Sequence, residues 1–94
     1  MEEFGYVYIL RSESSGKYYL GSTNNPDRRL SQHNSNAVKA TRGKGPWIRV
    51  KLVTFQTKAM ARFAEQFIKK LKSKRLIQSI VDNAFVWPVD FRPL

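Results

Sequence analysis

The sequence predicts an α+β fold, a small sandwich built around an antiparallel sheet, with its elements in the order ββαβαα. Three observations support this fold class. The chain has 94 residues, which suffice for one domain spanning residues 1–94. Apolar residues make up 41% of the chain, enough for one core. Segments with the two-residue period of strands precede and alternate with segments that have the period of helices.

Two aromatic segments predict a β-hairpin at the start of the chain. Residues 5–10 are rich in tyrosine and β-branched side chains, residues 12–16 form a turn cluster, and residues 18–21 return as a second strand. Alternation places Val7 and Ile9 on one face of the first strand. The other face carries Tyr6, Tyr8 and Leu10. The long turn leaves the register of the hairpin open.

A helix is predicted over residues 26–34, because Asn25 suits the N-cap and Pro26 suits the first helical position. A polar loop follows over residues 35–46. Residues 47–55 then alternate as a third strand. One predicted face of this strand carries Trp47, Arg49, Lys51 and Val53, and the other carries Ile48, Val50, Leu52 and Thr54.

Two more helices are predicted after the third strand. Thr57 is the expected N-cap of the first, and Ser73 is the expected N-cap of the second. Residues 84–94 form an apolar tail that contains proline. The first of these helices carries an apolar stripe at the spacing of a buried face, formed by Met60, Phe63, Ala64, Phe67, Ile68 and Leu71.

The charge distribution indicates a polyanionic partner. Seventeen Lys and Arg residues face seven Asp and Glu residues, so the net charge is +10. Between Asp27 and Asp82, Glu65 is the only carboxylate among fourteen basic residues. The cations lie on loops, a strand and helices rather than along one amphipathic helix, which favours nucleic acid over a membrane surface.

The composition excludes several kinds of site. The chain has no cysteine, which excludes disulfides, thiolate zinc sites, iron–sulfur ligation and a cysteine nucleophile, and we expect no haem. A single histidine, His33, excludes a His-rich metal site. No apolar run approaches the ~18 residues of a membrane span, and the acidic N-terminus is unlike a secretion signal. We therefore expect a cytoplasmic protein with no membrane partner.

Two helices carry candidate catalytic residues. Arg29 and His33 are four residues apart and share a helix face, where a guanidinium and an imidazole can hold a phosphate and move a proton. The alternative is two solvated side chains. Glu65 is a candidate ligand for a hard cation, which tolerates a single carboxylate when water and phosphate fill the other positions. The alternative for Glu65 is an i, i+4 ion pair with Lys69.

The hairpin and the basic loop add further candidates. Nearby cations or a metal-bound water can lower the pKa of a strand tyrosine and make it a useful base, although cross-strand packing is the alternative. The loop over residues 41–47 can hold phosphates through Arg42 and Lys44, while an ordinary turn with Trp47 buried is the alternative. The tyrosines concerned are Tyr6, Tyr8, Tyr18 and Tyr19.

These residues resemble the motifs of the GIY-YIG endonucleases. Tyr6-Val7-Tyr8 and Tyr19-Leu20-Gly21 are similar to the two strand motifs, with Tyr6 in place of the first glycine and Leu20 in place of isoleucine. The resemblance extends over residues 6–71, and the segment over residues 41–47 is similar to that of small free-standing members. The excision-repair nuclease of bacteria carries a related domain at the N-terminus of one of its subunits.

The resemblance also covers the candidate side chains. Arg29 lies ten residues after Tyr19 and is similar to the family's helix arginine. His33 stands where many members carry His or Tyr, and Glu65 is similar to the metal-binding glutamate. Many members have an asparagine after the glutamate helix, and whether Asn83 has that role stays open.

The resemblance implies a three-stranded antiparallel sheet flanked by helices, and hydrolysis of DNA with a single divalent ion, Mg²⁺ or Mn²⁺. In the roles that it implies, Glu65 holds the metal and Arg29 holds the phosphate. Tyr8 is the base for the attacking water, and Tyr19 positions this water or shares the role. His33 hydrogen-bonds the scissile phosphate or assists proton transfer.

We expect a ring of basic and polar side chains to contact the DNA backbone without reading sequence. The expected contacts are Arg28, Lys39, Thr41, Arg42, Lys44, Lys51, Lys58 and Arg62. A DNA repair or processing role follows from the resemblance, and a protein partner that supplies specificity stays open. Two other functions also stay open: a basic DNA-binding module with little or no catalysis, and a basic protein or lipid adaptor.

Overall fold

The computed structural model describes residues 3–94 and has the predicted order ββαβαα, so the α+β fold class is confirmed. No helix among these residues is long and apolar enough to cross a membrane. Short 3₁₀ turns lie at Lys39–Thr41 and Val89–Phe91. The main elements are β1 (Gly5–Ser12), β2 (Tyr18–Thr23), α1 (Pro26–Asn34), β3 (Trp47–Phe55), α2 (Lys58–Leu71) and α3 (Lys74–Val81).

The three strands form one antiparallel sheet in the order β2-β1-β3, with β1 in the centre. In the hairpin Tyr8 pairs with Gly21 and Leu10 pairs with Tyr19, which fixes the register that the sequence left open. The two faces of β1 divide as predicted. Val7 and Ile9 are buried in the main core, whereas Tyr8 and Leu10 belong to a second cluster with Trp47.

A β-bulge in β3 corrects the predicted alternation of this strand. Ile9 pairs with Lys51 but the next residue, Leu10, pairs with Arg49, so Val50 is the extra residue. An extra residue exchanges the faces on its two sides. As a result Trp47 joins the tyrosine face of the sheet while Val53 lies in the main core, although strict alternation put both side chains together.

The three predicted N-caps are present and fix where the helices start. The Asn25 side chain accepts a hydrogen bond from the Arg28 amide at 3.1 Å. The Thr57 hydroxyl accepts from the Met60 amide, and the Ser73 hydroxyl accepts from the Leu76 amide, also at 3.1 Å each.

The buried face of α2 differs from the predicted stripe. Ala61, Ala64 and Ile68 are buried, whereas Phe63 is 58% exposed and Leu71 is 49% exposed. The cause lies in β1. A Cβ on Gly5 would stand 2.6 Å from the Lys58 Cα, so the helix backbone packs directly on the strand and only small side chains fit between them. This rotation of α2 places Glu65 beside β2.

The apolar tail closes the main core. The Phe91 side chain is 5% exposed, and its ring centroid lies 5.1 Å from that of Phe63 and 5.1 Å from that of Phe67. The Trp87 ring packs on Phe55 with a centroid separation of 5.5 Å. The tail therefore covers the side of α2 that the sheet leaves open.

Candidate active site

A chain of hydrogen bonds runs from β1 through α1 to the loop before β3. The Tyr8 hydroxyl lies 2.9 Å from His33 Nε2. His33 Nδ1 lies 2.7 Å from Thr41 Oγ1. Tyr8, His33 and Thr41 are all buried. The loop therefore fixes the imidazole, and the imidazole fixes the phenol.

Burial and charge set the protonation of this chain. Burial, and second the charge of Arg29, lower the pKa of His33 to about 4, so the imidazole is neutral at pH 7. One arrangement satisfies every group: Nδ1–H donates to Thr41, and the Tyr8 hydroxyl donates to Nε2. Burial raises the pKa of Tyr8, although the hydrogen bond and charge of Arg29 oppose that shift.

Gly21 makes room for the Tyr8 ring. A Cβ on Gly21 would stand 2.3 Å from the Tyr8 hydroxyl oxygen and 2.5 Å from the ring carbon that carries it. Any larger side chain would push the phenol off the cross-strand position that it holds. The glycine after Leu20 is thus needed for the geometry of the first tyrosine.

Arg29 stands beside Tyr8 on the face of α1 that was predicted from its spacing to His33. Its Nε donates to the Tyr8 hydroxyl over a long 3.4 Å, and its Nη1 donates to Gln32 Oε1 at 2.9 Å. Tyr19, on the neighbouring strand, packs edge-on against His33 with ring centroids 5.0 Å apart. The two tyrosines, the arginine and the histidine therefore form one group, as predicted.

Glu65 faces the site from α2. Its side chain is 15% exposed. One carboxylate oxygen accepts a hydrogen bond from the Ser22 hydroxyl of β2, and the other lies 2.6 Å from Lys69 Nζ. The i, i+4 pair with Lys69, one of the two alternatives for Glu65, is therefore present. The Lys69 ammonium also stands over the Tyr19 ring, 5.6 Å from its centroid, which links Glu65 to the tyrosine group.

An open groove of about 400 Å³ runs between α1 and α2 at the end of β2. Four cations line it, among them three of the predicted backbone contacts. The Ser22 that holds Glu65 is also part of its wall. The lining is Ser22, Thr23, Asn24, Arg28, Arg29, Gln32, Lys58, Ala59 and Arg62. A cationic groove next to buried tyrosines is suited to a phosphate backbone.

Comparison with known proteins identifies the family. A family model described as the GIY-YIG catalytic domain matches residues 4–78. The chain belongs to the GIY-YIG family. The predicted family is thus confirmed, and nuclease chemistry is the coarse function that it supports.

Three relatives illustrate the place of this GIY-YIG chain. A UPF0213 protein of Vibrio campbellii is 41% identical over 76 residues, which cover 77% of this chain and 72% of that protein. Structure-specific endonuclease subunit SLX1 of Phaeosphaeria nodorum is 48% identical over 52 residues, 50% of this chain but only 14% of that protein. The solution NMR structure of a UPF0213 protein from Bacillus halodurans has a TM-score of 0.54 at 37% identity, covering 85% of this chain and 84% of that one.

The oxygen donors of the GIY-YIG site fit a hard divalent cation. Glu65 offers a carboxylate, and Ser22 offers a hydroxyl beside it. In the described part of the chain no three His, Cys, Asp or Glu side chains cluster as a metal cage. Mg²⁺ suits such a sparse site, because it keeps several waters and takes substrate phosphates as further ligands.

Two of the predicted DNA contacts lie elsewhere. Thr41 is buried, 1% exposed, because its hydroxyl is needed by His33, so the prediction that it contacts DNA is wrong. Lys51 points its amine at the Asn83 side chain near the β3 edge, the sheet edge opposite β2. Asn83 is therefore also remote from the tyrosine group. Lys39, Arg42 and Lys44 are exposed on the loop that carries Thr41.

Ser22 and Gln32 escaped the sequence analysis, although each had a signal. Ser22 follows Gly21, where the faces of β2 alternate, so its hydroxyl had to leave the tyrosine face and could meet α2. Gln32 is three residues after Arg29 and can orient the guanidinium from the same helix.

Proposed function

We propose that this chain is a metal-dependent DNA endonuclease that hydrolyses phosphodiester bonds with one divalent ion, Mg²⁺ or Mn²⁺, and with low sequence specificity. The observation that carries this proposal is the meeting of Tyr8, Arg29 and Glu65 beside one cationic groove. These groups can activate a water, hold a phosphate and hold a cation at one place. A role in DNA repair or processing belongs to the same proposal.

Tyr8 and His33 act together as the base. The attacking water gives its proton to the Tyr8 oxygen while the Tyr8 hydroxyl proton moves to His33 Nε2, which lies 2.9 Å away. Neutral His33 can accept this proton. A phosphate bound at Arg29 offsets the guanidinium charge that lowers the pKa of His33, and so makes the imidazole a stronger base when substrate is present.

His33 therefore works through Tyr8 instead of touching the phosphate, since both of its ring nitrogens already have partners. Tyr19, which packs on His33, positions the water. Arg29 holds the phosphate as negative charge builds on it, and Gln32 fixes the direction of the guanidinium.

Glu65 and Ser22 hold the divalent cation in this proposal. When bound, the cation supplies positive charge for the leaving oxygen. The Ser22 hydroxyl orients the carboxylate by donating to one of its oxygens. Burial of Glu65 to 15% exposure limits competition from bulk water.

Cations around the site hold the DNA backbone. Arg28, Lys58 and Arg62 line the groove directly. Lys39, Arg42 and Lys44 extend the contact from the exposed loop. By analogy with SLX1, whose name describes a subunit, a protein partner supplies specificity. We place the protein in the cytoplasm, where nucleic acid is available.

Nicking of a supercoiled plasmid tests this function. With Mg²⁺ or Mn²⁺ the wild type is expected to nick, and chelation by EDTA is expected to stop the reaction. Glu65→Ala and Arg29→Ala are each expected to slow nicking by at least about 100-fold, while Lys70→Ala, on the exposed side of α2, serves as the control. Nicking that survives both active-site substitutions would end the proposal.

The ion pair between Glu65 and Lys69 favours a second candidate, a DNA-binding module without appreciable catalysis, because this pair neutralises the carboxylate without a metal. Filter binding over a salt series separates the two functions. A steep dependence on salt, together with no metal-dependent nicking, would identify the module.

A further inference from the structure

Lys69 occupies the place where a cation is needed. Its ammonium lies 2.6 Å from one oxygen of Glu65, while the Ser22 hydroxyl engages the other oxygen. Both oxygens of the carboxylate thus have partners within the protein. A divalent cation that binds Glu65 must share this carboxylate with the ammonium or replace it.

The pair is also better shielded than an ordinary surface ion pair. The Glu65 side chain is 15% exposed, and the Lys69 side chain is 47% exposed. Electrostatic interaction gains strength as water is excluded, so the ammonium and a nearby divalent cation repel each other appreciably. The exposed half of Lys69 nevertheless leaves its flexible stem free to swing.

Lys69 has other anionic or aromatic partners within reach of the site. The Tyr19 ring lies 5.6 Å below its ammonium and can support it by a cation–π contact. Lys69 follows Lys58 and Arg62 along the same side of α2, at helical spacings of eleven and seven residues. A phosphate backbone that lies along this side of the helix would therefore pass near the ammonium.

We propose that Lys69 is a displaceable counter-ion of Glu65. It neutralises the carboxylate in the free protein, and it moves to a phosphate of the bound DNA strand when the divalent cation takes its place. This proposal rests on the proposed function and adds its regulation. The free protein binds the divalent cation weakly, and DNA raises the affinity for the cation because it supplies Lys69 with a new partner.

Mn²⁺ binding to the DNA-free protein, followed by electron paramagnetic resonance, tests the first half of the proposal. Lys69→Met keeps the apolar stem and removes the charge, so we expect it to bind Mn²⁺ about tenfold more tightly than the wild type. Lys70→Met, one residue away and exposed, is the matched control and should bind as the wild type does. Glu65→Gln should remove the binding in both backgrounds.

Repeating the titration with a DNA duplex tests the second half. The Tyr8→Phe background keeps the DNA intact. In this background DNA should raise the Mn²⁺ affinity of the protein that has Lys69, and should raise it much less when Lys69→Met is added. Circular dichroism of each variant checks that the fold is unchanged.

The outcomes separate the two proposals. Equal Mn²⁺ affinity in the wild type and Lys69→Met, with Glu65→Gln removing it, would overturn the role of Lys69 and leave the metal site intact. Mn²⁺ binding that is insensitive to Glu65→Gln would overturn the metal site itself and Lys69 with it. Weaker Mn²⁺ binding in Lys69→Met would also overturn the proposal, since the lysine would then support the carboxylate.

Discussion

Tyr8 is the residue whose environment says most about mechanism, since its hydroxyl meets His33 and Arg29 in a space that Gly21 keeps open. Tyr8→Phe removes only the oxygen. We expect single-turnover cleavage to fall by about 100-fold or more, because the water loses its base, while DNA affinity in filter binding stays unchanged.

Tyr18→Phe is the matched control for this substitution, because the Tyr18 hydroxyl donates to Gln78 on α3, away from the site. A Tyr8→Phe protein that cleaves as fast as the Tyr18→Phe protein would show that the phenol has no part in the chemistry.

His33 makes stability depend on pH. Its pKa is about 4 in the folded protein but 6.5 in an unfolded chain, so the unfolded chain takes up the proton first as the pH falls. Stability is therefore full above pH 6.5 and declines between pH 6.5 and about 4, by up to about 3 kcal/mol.

Urea unfolding at pH 7.5 and pH 4.5 measures this loss. His33→Asn does not titrate in that range, so it should lose less stability than the wild type over the same interval. An equal loss in the two proteins would assign the pH dependence to other groups.

At the scale of single side chains, spacing along the chain predicted the shared helix face of Arg29 and His33, because that relation is local. It did not predict that Thr41 turns inward to the imidazole. A threonine in a basic loop looks like a surface residue until the histidine that needs its hydroxyl is placed beneath it.

At the scale of elements, the caps at Asn25, Thr57 and Ser73 were predictable, since each bond forms within three residues. The bulge at Val50 and the rotation of α2 were not. Both depend on contacts between elements distant in sequence, above all the close approach of α2 to Gly5. The apolar stripe of α2 is real, but the tail covers the part of it around Phe63.

The tail is expected to stabilise the core without taking part in the chemistry. Phe91→Ala removes a buried ring that packs on Phe63 and Phe67, so we expect a loss of about 3 kcal/mol in urea unfolding. Val89→Ala, where the side chain is 76% exposed, should change stability by less than about 0.5 kcal/mol. Similar losses in both variants would mean that the tail does not pack as described.

At the scale of the whole molecule, charge is arranged by position as well as by amount. The molecule measures 36 × 33 × 20 Å, with the cationic groove at the β2 side and Lys51 near the β3 edge. Composition alone predicted a nucleic-acid partner, yet it could not assign each cation to a side, because this assignment requires the fold.

The salt dependence of DNA binding tests this arrangement. Arg62→Ala should lower the slope of log K against log salt by about 1, because one phosphate contact is lost. Lys51→Ala should leave the slope as it is. The opposite pattern, with Lys51 contributing and Arg62 silent, would place the DNA on the wrong side of the sheet for this site.

The most direct test of the account is to measure cleavage and binding of one end-labelled duplex by the wild type and by Glu65→Gln. This substitution keeps the size of the side chain and removes its charge. We predict a single-turnover rate in Mg²⁺ at least about 100-fold lower than that of the wild type, with DNA affinity equal or higher because a negative charge is gone. Equal cleavage rates in the two proteins would contradict a metal-dependent nuclease centred on Glu65.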